Sequence, residues 1–277
     1  MLIVDAQVHV WAAHTPERPW PDDGFGREHS SPPLTPSVLL TRMDEIGIDR
    51  AILVPPSWEG DYNDLAIRAA TDHPDRFAIM GRFDLGDSTN AARLPDWKTQ
   101  TGMLGIRVSF LMPHQRQWLA DQSIDWFWDA AERADIPLMI LPPDQLPAIE
   151  RVAERHPKLR MIIDHLAITS SRRDDEAFAT LEDLYPLSRY ANIAVKASGL
   201  SNYTNDSYPF RAIHGHIERV VDTFGPNRVF WGTDISRLRC SYSEALSYFT
   251  DELSFLSDAD KELVMGKGIC DWLGWSY

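Results

Sequence analysis

Short runs of β-branched and apolar residues alternate along this chain with stretches whose apolar positions recur at helical spacing. Eight runs read as strands: LIVDAQVHV (2–10), AILV (51–54), FAIMGRF (77–83), MLGIRVSF (103–110), PLMIL (137–141), RMIID (160–164), NIAVKA (192–197) and RVFWGT (228–233). Helical patterns follow most of them, over 35–46, 62–73, 124–134, 147–155, 174–184, 210–224 and 243–255. The stretch 84–101 reads as a loop with at most one helical turn. Eight strands alternating with helices predict a single-domain (β/α)8 barrel over residues 1–277. A doubly wound sheet is the runner-up, but the chain has no G-x-G-x-x-G and no Walker sequence.

The first strand is the most informative. In VDAQVHVW small apolar residues alternate with Asp5, Gln7, His9 and Trp11, so an unbroken period of two puts three polar side chains on one face. Polar groups are costly to bury unless something uses them. Beyond this strand, residues 12–36 carry six prolines and no periodicity. That is too long for an ordinary βα connection, and a loop after strand one belongs over the C-terminal face, as a lid or pocket wall.

Composition narrows the partners. With 27 Lys plus Arg against 41 Asp plus Glu, the net charge is −14, which argues against nucleic acid or an anionic membrane as partner. An anionic small molecule remains open, because the field inside a cleft can oppose the net charge. Two cysteines, Cys240 and Cys270, make neither a disulfide framework nor a zinc cluster. With no signal peptide evident and no membrane-length apolar run, a cytoplasmic protein is the expectation. A homo-oligomer is compatible with such a barrel.

The working residues of a (β/α)8 barrel lie at the C-terminal strand ends. Strand one ends in Gln7 and His9, strand three in Arg82, and strand four carries Arg107. Strand six ends in Asp164-His165, strand seven presents Lys196, and strand eight ends in Asp234, with Arg237 just beyond. Each has an ordinary alternative. A lone histidine can be a satisfied core residue, and Asp234 can cap the next helix. Arg107 can pair with a carboxylate, and Lys196 can snorkel. Asp5 can be a buried acceptor, and Asp164 can orient His165. Jointly, these alternatives require five strands to end in unrelated charges. His9, His165 and Asp234 contain what a hydrolytic centre needs: a carboxylate to deprotonate water, and imidazoles to polarise a carbonyl or hold the water.

VDAQVHVW, IIDHLA and FWGTD, with GIR (105–107), VKASGL (195–200) and HPDRF (73–77), resemble the amidohydrolase superfamily. Within it they resemble the branch that includes pyrone-dicarboxylate lactonase and sugar lactonases. The likeness runs over nearly the whole chain and is more specific to fold and branch than to substrate. Metal-dependent members place His-x-His on strand one, a further ligand on strand four or five, a histidine on strand six and an aspartate on strand eight. Carried across, His9, His165 and Asp234 match. Gln7 stands where the first histidine belongs, and strand five ends in ILPPDQ (140–145) without one. A glutamine amide is a weak zinc ligand, and the branch includes members that work without metal. The resemblance therefore implies a metal-independent hydrolase of a small anionic cyclic ester, a lactonase. Asp234 would be the base, and His9, His165 and Gln7 would donate to the carbonyl. Arg82, Arg107, Lys196 and Arg237 would bind substrate carboxylates. Trp11, Trp20, Trp58 and Tyr62 are candidates for an apolar wall. One alternative is a metal-dependent hydrolase or non-oxidative decarboxylase with a divalent ion such as zinc on His9, His165 and Asp234. Another is a non-catalytic barrel that binds a metabolite.

Overall fold

A computed structural model describes residues 1–21, 29–169 and 171–277. All eight predicted strands are present: β1 (Val4–Val8), β2 (Arg50–Leu53), β3 (Phe77–Gly81), β4 (Met103–Ser109), β5 (Leu138–Leu141), β6 (Met161–Ile163), β7 (Ile193–Ser198) and β8 (Val229–Gly232). They pair in parallel and in sequence order. The Asp234 N–H donates to the Gln7 carbonyl (2.8 Å) where β8 meets β1, bringing the sheet round into a (β/α)8 barrel. Residues 22–28 of the expected proline-rich lid lie outside the described residues.

One inward apolar residue from each of several strands fills the barrel: Ala6, Ile52, Met80, Met139, Ile162, Ala194 and Phe230. Ile269, Cys270 and Leu273 pack on this cluster from α11 (Gly268–Leu273). The outward residues, among them Leu53, Ile79, Ile106, Val195 and Trp231, pack beneath the helices. Burial on both faces is why the strands read as continuous apolar runs.

Helix α1 (Pro36–Ile46) shows how local sequence sets the ends. The Thr35 hydroxyl accepts from the Val38 N–H, Pro36 opens the first turn, and Gly47 closes the helix at φ 78°. The outer layer continues with α2 (Asp64–Asp72), α3 (Pro113–Ala120), α4 (Asp125–Arg133), α5 (Leu146–Arg155), α6 (Asp174–Phe178), α7 (Leu181–Leu184), α8 (His214–Phe224), α9 (Tyr242–Ser247) and α10 (Asp258–Glu262), before α11. Between β3 and β4 only 3-10 turns occur, over Ser88–Arg93 and Trp97–Thr99, so the expected degenerate connection is observed. The helix expected over 243–255 is α9 followed by a π turn over Tyr248–Glu252. No helix of the described residues is long and apolar enough to cross a membrane.

The alternation expected for β1 holds only in part. Its pairing with β2 shifts register between Asp5 and Val8, so the three polar residues do not share one face. Gln7 turns inward to Lys196. Asp5 sits on the β8 side and accepts from the Gln7 N–H, the Thr233 N–H and hydroxyl, and the Tyr242 hydroxyl of α9. It is the buried acceptor that the sequence allowed, and it joins the ends of β1 and β8.

Candidate active site

Above the apolar filling lies a polar layer contributed by β1, β4 and β7 and by Asp164, the residue after β6. Asp164 accepts from the Arg107 Nε at 3.2 Å and pairs with the Lys196 ammonium at 2.8 Å. Lys196 also donates to the Gln7 Oε1 at 2.6 Å. Asp164, Lys196 and Gln7 have no exposed surface, and Arg107 keeps 6%. Burial pushes the Asp164 carboxyl up, but Lys196 and Arg107 outweigh it and hold it below the ordinary range. Burial pulls Lys196 down while Asp164 opposes. With two cations against one carboxylate, Asp164 is ionised.

This layer orients the one above it. With its oxygen held by Lys196, the Gln7 amide turns its N–H toward the His9 Nε2, 3.3 Å away. The His9 Nδ1 lies 2.6 Å from the Val54 carbonyl and can only donate there, which leaves Nε2 as a lone pair. His9 was expected to polarise a carbonyl as a donor; in this tautomer it is an acceptor. Burial lowers its pKa, against the pull of Asp234.

The Asp234 Oδ1 lies 3.4 Å from the His9 Nε2, and its Oδ2 lies 4.0 Å from an Arg237 nitrogen. Burial pushes this carboxyl up, but His9, His165 and Arg237 outweigh it and hold it below the ordinary range. His165 follows β6 and places Nδ1 2.8 Å from the Ser198 hydroxyl. Burial lowers its pKa to about 4, so both rings are neutral near pH 7.

Three residues of this site carried no signal in the strand pattern. Ser198 meets His165, and Ser236 lies 3.5 Å from the Asp234 Oδ1. His29, from the proline-rich segment, places Nδ1 2.8 Å from the Ser236 hydroxyl and its ring 4.4 Å from Trp58. Burial lowers the pKa of His29 to about 3. Only the proline-rich excursion, expected over the C-terminal face, hinted at His29. Ser198 and Ser236 emerge from the packing alone.

Two cavities adjoin these groups. One of about 280 Å3 is lined by Arg82 and Arg107 together with Asp61, Asp84 and Ser109. The other, of about 300 Å3, is lined by His165, Arg116, Arg172, Arg237, Asp144 and Tyr203. The first sets two arginines against two aspartates; the second sets three against one, so positive charge is in excess there.

His9 and Asp234 thus meet, His165 feels the Asp234 charge, and Arg237 lies beside Asp234, with Arg107 and Arg82 along the neighbouring cavity. Gln7 and Lys196, expected to touch substrate, are instead wholly buried below the site and satisfied by each other. Of the aromatic candidates, Trp58 contacts the His9 ring at 5.7 Å. Trp11 packs behind Trp58, Trp20 is half-buried, and Tyr62 is exposed beneath Arg18.

A divalent ion, as the metal-dependent members of the superfamily imply, does not fit this donor set. Among the described residues no three His, Cys, Asp or Glu side chains gather to hold one. The single lone pair of His9 is met by an amide hydrogen, and the Gln7 amide oxygen is taken by an ammonium.

The amidohydrolase family model matches residues 4–268. An L-fucono-1,5-lactonase of Burkholderia ambifaria is 28% identical over 246 residues, spanning 85% of this chain and 81% of that protein. A 4-sulfomuconolactone hydrolase of Hydrogenophaga intermedia is 24% identical over 238 residues, spanning 83% and 73%. The crystal structure of an amidohydrolase from Burkholderia multivorans with bound zinc superposes with a TM-score of 0.82 over 99% of each chain, at 21% identity, a likeness of fold. The chain belongs to the amidohydrolase family and is a hydrolase of that superfamily.

Proposed function

We propose that this hydrolase is a lactonase that opens a small cyclic ester carrying an acid group. The observation that carries the reading is the buried Asp234 carboxylate, 3.4 Å from the His9 Nε2 and with Arg237 beside it. Water sits against the Asp234 carboxylate, which takes its proton as the oxygen attacks the ester carbonyl. The His165 Nδ1 lies closer to the Ser198 hydroxyl (2.8 Å) than to the Ser198 carbonyl (3.3 Å); with that hydroxyl donating, His165 presents Nε2–H to the carbonyl oxygen as charge develops. The ring C–O bond then breaks, and the departing oxygen takes the proton back from Asp234 to give a hydroxy acid. The acid group of the substrate lies in the cavity where Arg116, Arg172 and Arg237 outnumber Asp144. Two described residues of the proline-rich segment are anchored here, Arg18 by Glu59 and Asp64 and His29 by Ser236. The names of the relatives, a sugar lactonase and a sulfonated-lactone hydrolase, support the reading.

The test is hydrolysis of a panel of five- and six-membered lactones, with and without a carboxylate, followed by proton release. At least one carboxylated member should turn over, and Asp234→Asn should lower kcat by about 10²- to 10⁴-fold with folding intact. An unchanged rate in that variant would remove the base from the mechanism.

A further inference from the structure

Lys196 has no exposed surface, and its ammonium meets the Asp164 Oδ1 at 2.8 Å, the Gln7 Oε1 at 2.6 Å, the Met139 Sδ at 3.1 Å and the Ala6 carbonyl at 3.4 Å. An ammonium only donates. It therefore fixes which end of the Gln7 amide faces it, and the NH2 end must face the His9 Nε2. His9 has no second lone pair to offer, because Nδ1 is engaged by the Val54 carbonyl.

The charges point the same way. Lys196 and Arg107 are positive, Asp164 and Asp234 negative, and all four are buried. Their sum is zero. A divalent ion between His9 and Asp234 would add two charges with no counter-charge in a poorly solvated place.

We propose that Lys196, acting through Gln7, is the positioning residue that closes the end of β1 to divalent ions, and that Gln7→His alone does not open it. A histidine put at position 7 would offer the ammonium one ring nitrogen as acceptor. A neutral ring then carries its hydrogen on the other nitrogen, again facing the site. Removing the ammonium frees that ring and lowers the local charge by one, which a divalent ion can use.

The experiment is calorimetric titration with zinc chloride of the wild type, Gln7→His, and Gln7→His combined with Lys196→Met or with Lys196→Gln. Melting curves report folding, and no substrate is needed. Wild type and Gln7→His should agree within about threefold. The double variants should bind one equivalent at least about 30-fold more tightly, and adding Asp234→Ala should abolish that gain. Whichever double variant melts as a folded protein decides this arm. A 30-fold gain in Gln7→His with the lysine in place overturns the proposal, and so does a folded double variant that gains nothing.

Discussion

Two buried cations converge on the Asp164 carboxylate, and replacing it should be far more damaging than replacing either cation. Asp164→Asn keeps the shape and one acceptor oxygen but leaves Lys196 and Arg107 buried together without counter-charge. Removing one partner of a buried ion pair costs about 3–5 kcal/mol, and two stranded cations put this case at the upper end. At roughly 2–4 °C per kcal/mol for a domain of this size class, the melting temperature should fall by roughly 6–20 °C. Lys196→Met is the internal control. It leaves Arg107 and Asp164 as a one-to-one pair 3.2 Å apart, and the methionine fills space beside Met139. Its loss should be less than half as large. Scanning calorimetry and urea unfolding near pH 7.5 measure both variants. An Asp164→Asn loss below about 1 kcal/mol, the value of an exposed pair, would refute the reasoning, as would equal losses in the two variants.

Three further outcomes follow from the same geometry. Burial pushes the Asp5 carboxyl up to about 6, with the Thr233, Gln7 and Tyr242 donors restraining it. An acid raised in the folded state contributes most below its unfolded pKa, and that stability is lost as pH rises from about 4 to about 6. The loss amounts to about 3 kcal/mol. The stability of the wild type relative to Asp5→Asn, from urea unfolding between pH 4 and pH 7, should fall accordingly; a level or rising difference would contradict it. Because the pKa of His165 lies at about 4, kcat/KM should show no histidine step near neutral pH. A limb at pH 6–7 would show an ordinary, solvated histidine. Arg237→Met should raise KM for a carboxylated lactone by about 10- to 100-fold through loss of a charge-assisted contact. The same variant should leave a neutral lactone nearly unaffected, and equal losses on both would assign Arg237 to Asp234 alone.

The barrel was legible because strands buried on both faces write themselves as apolar runs, and because most of the polar residues that interrupt those runs lie toward one end. The strand ends also named His9, His165 and Asp234. Facing could be read there, but partners could not. Gln7, Asp164 and Lys196 are separated by 157 and 32 positions in sequence, and nothing in periodicity says that one ammonium joins them. The register shift in β1 has no sequence signal either, and it moves Asp5 away from Gln7 and His9. Helix α3 was not predicted because only Leu119 of its eight residues is buried, too little to make an apolar stripe.

Backbone strain explains how neighbours in sequence come to serve the same mouth. Among the described residues nine non-glycine positions have positive φ, and four of them lie here: His165, Leu166, Ala167 and Asp234. A left-handed residue costs about 1–2 kcal/mol, so the run 165–167 holds on the order of 3–6 kcal/mol. A strand continuing straight beyond Asp164 would turn His165 outward, since adjacent side chains alternate. The left-handed turn instead lets Asp164 reach Lys196 and Arg107 while His165 reaches Ser198 and lines the cavity it shares with Arg237. The burial of Leu166, Ala167 and Ile168 and the bond from the Ile168 N–H to the His165 carbonyl (3.0 Å) hold it there. Asp234 repeats the device at β8, one residue after Thr233 has turned the other way to Asp5. Strain of this size persists where the surroundings over-determine it, and it gathers at working sites. Its placement at the two strand ends that supply His165 and Asp234 favours a catalytic barrel over one that only binds.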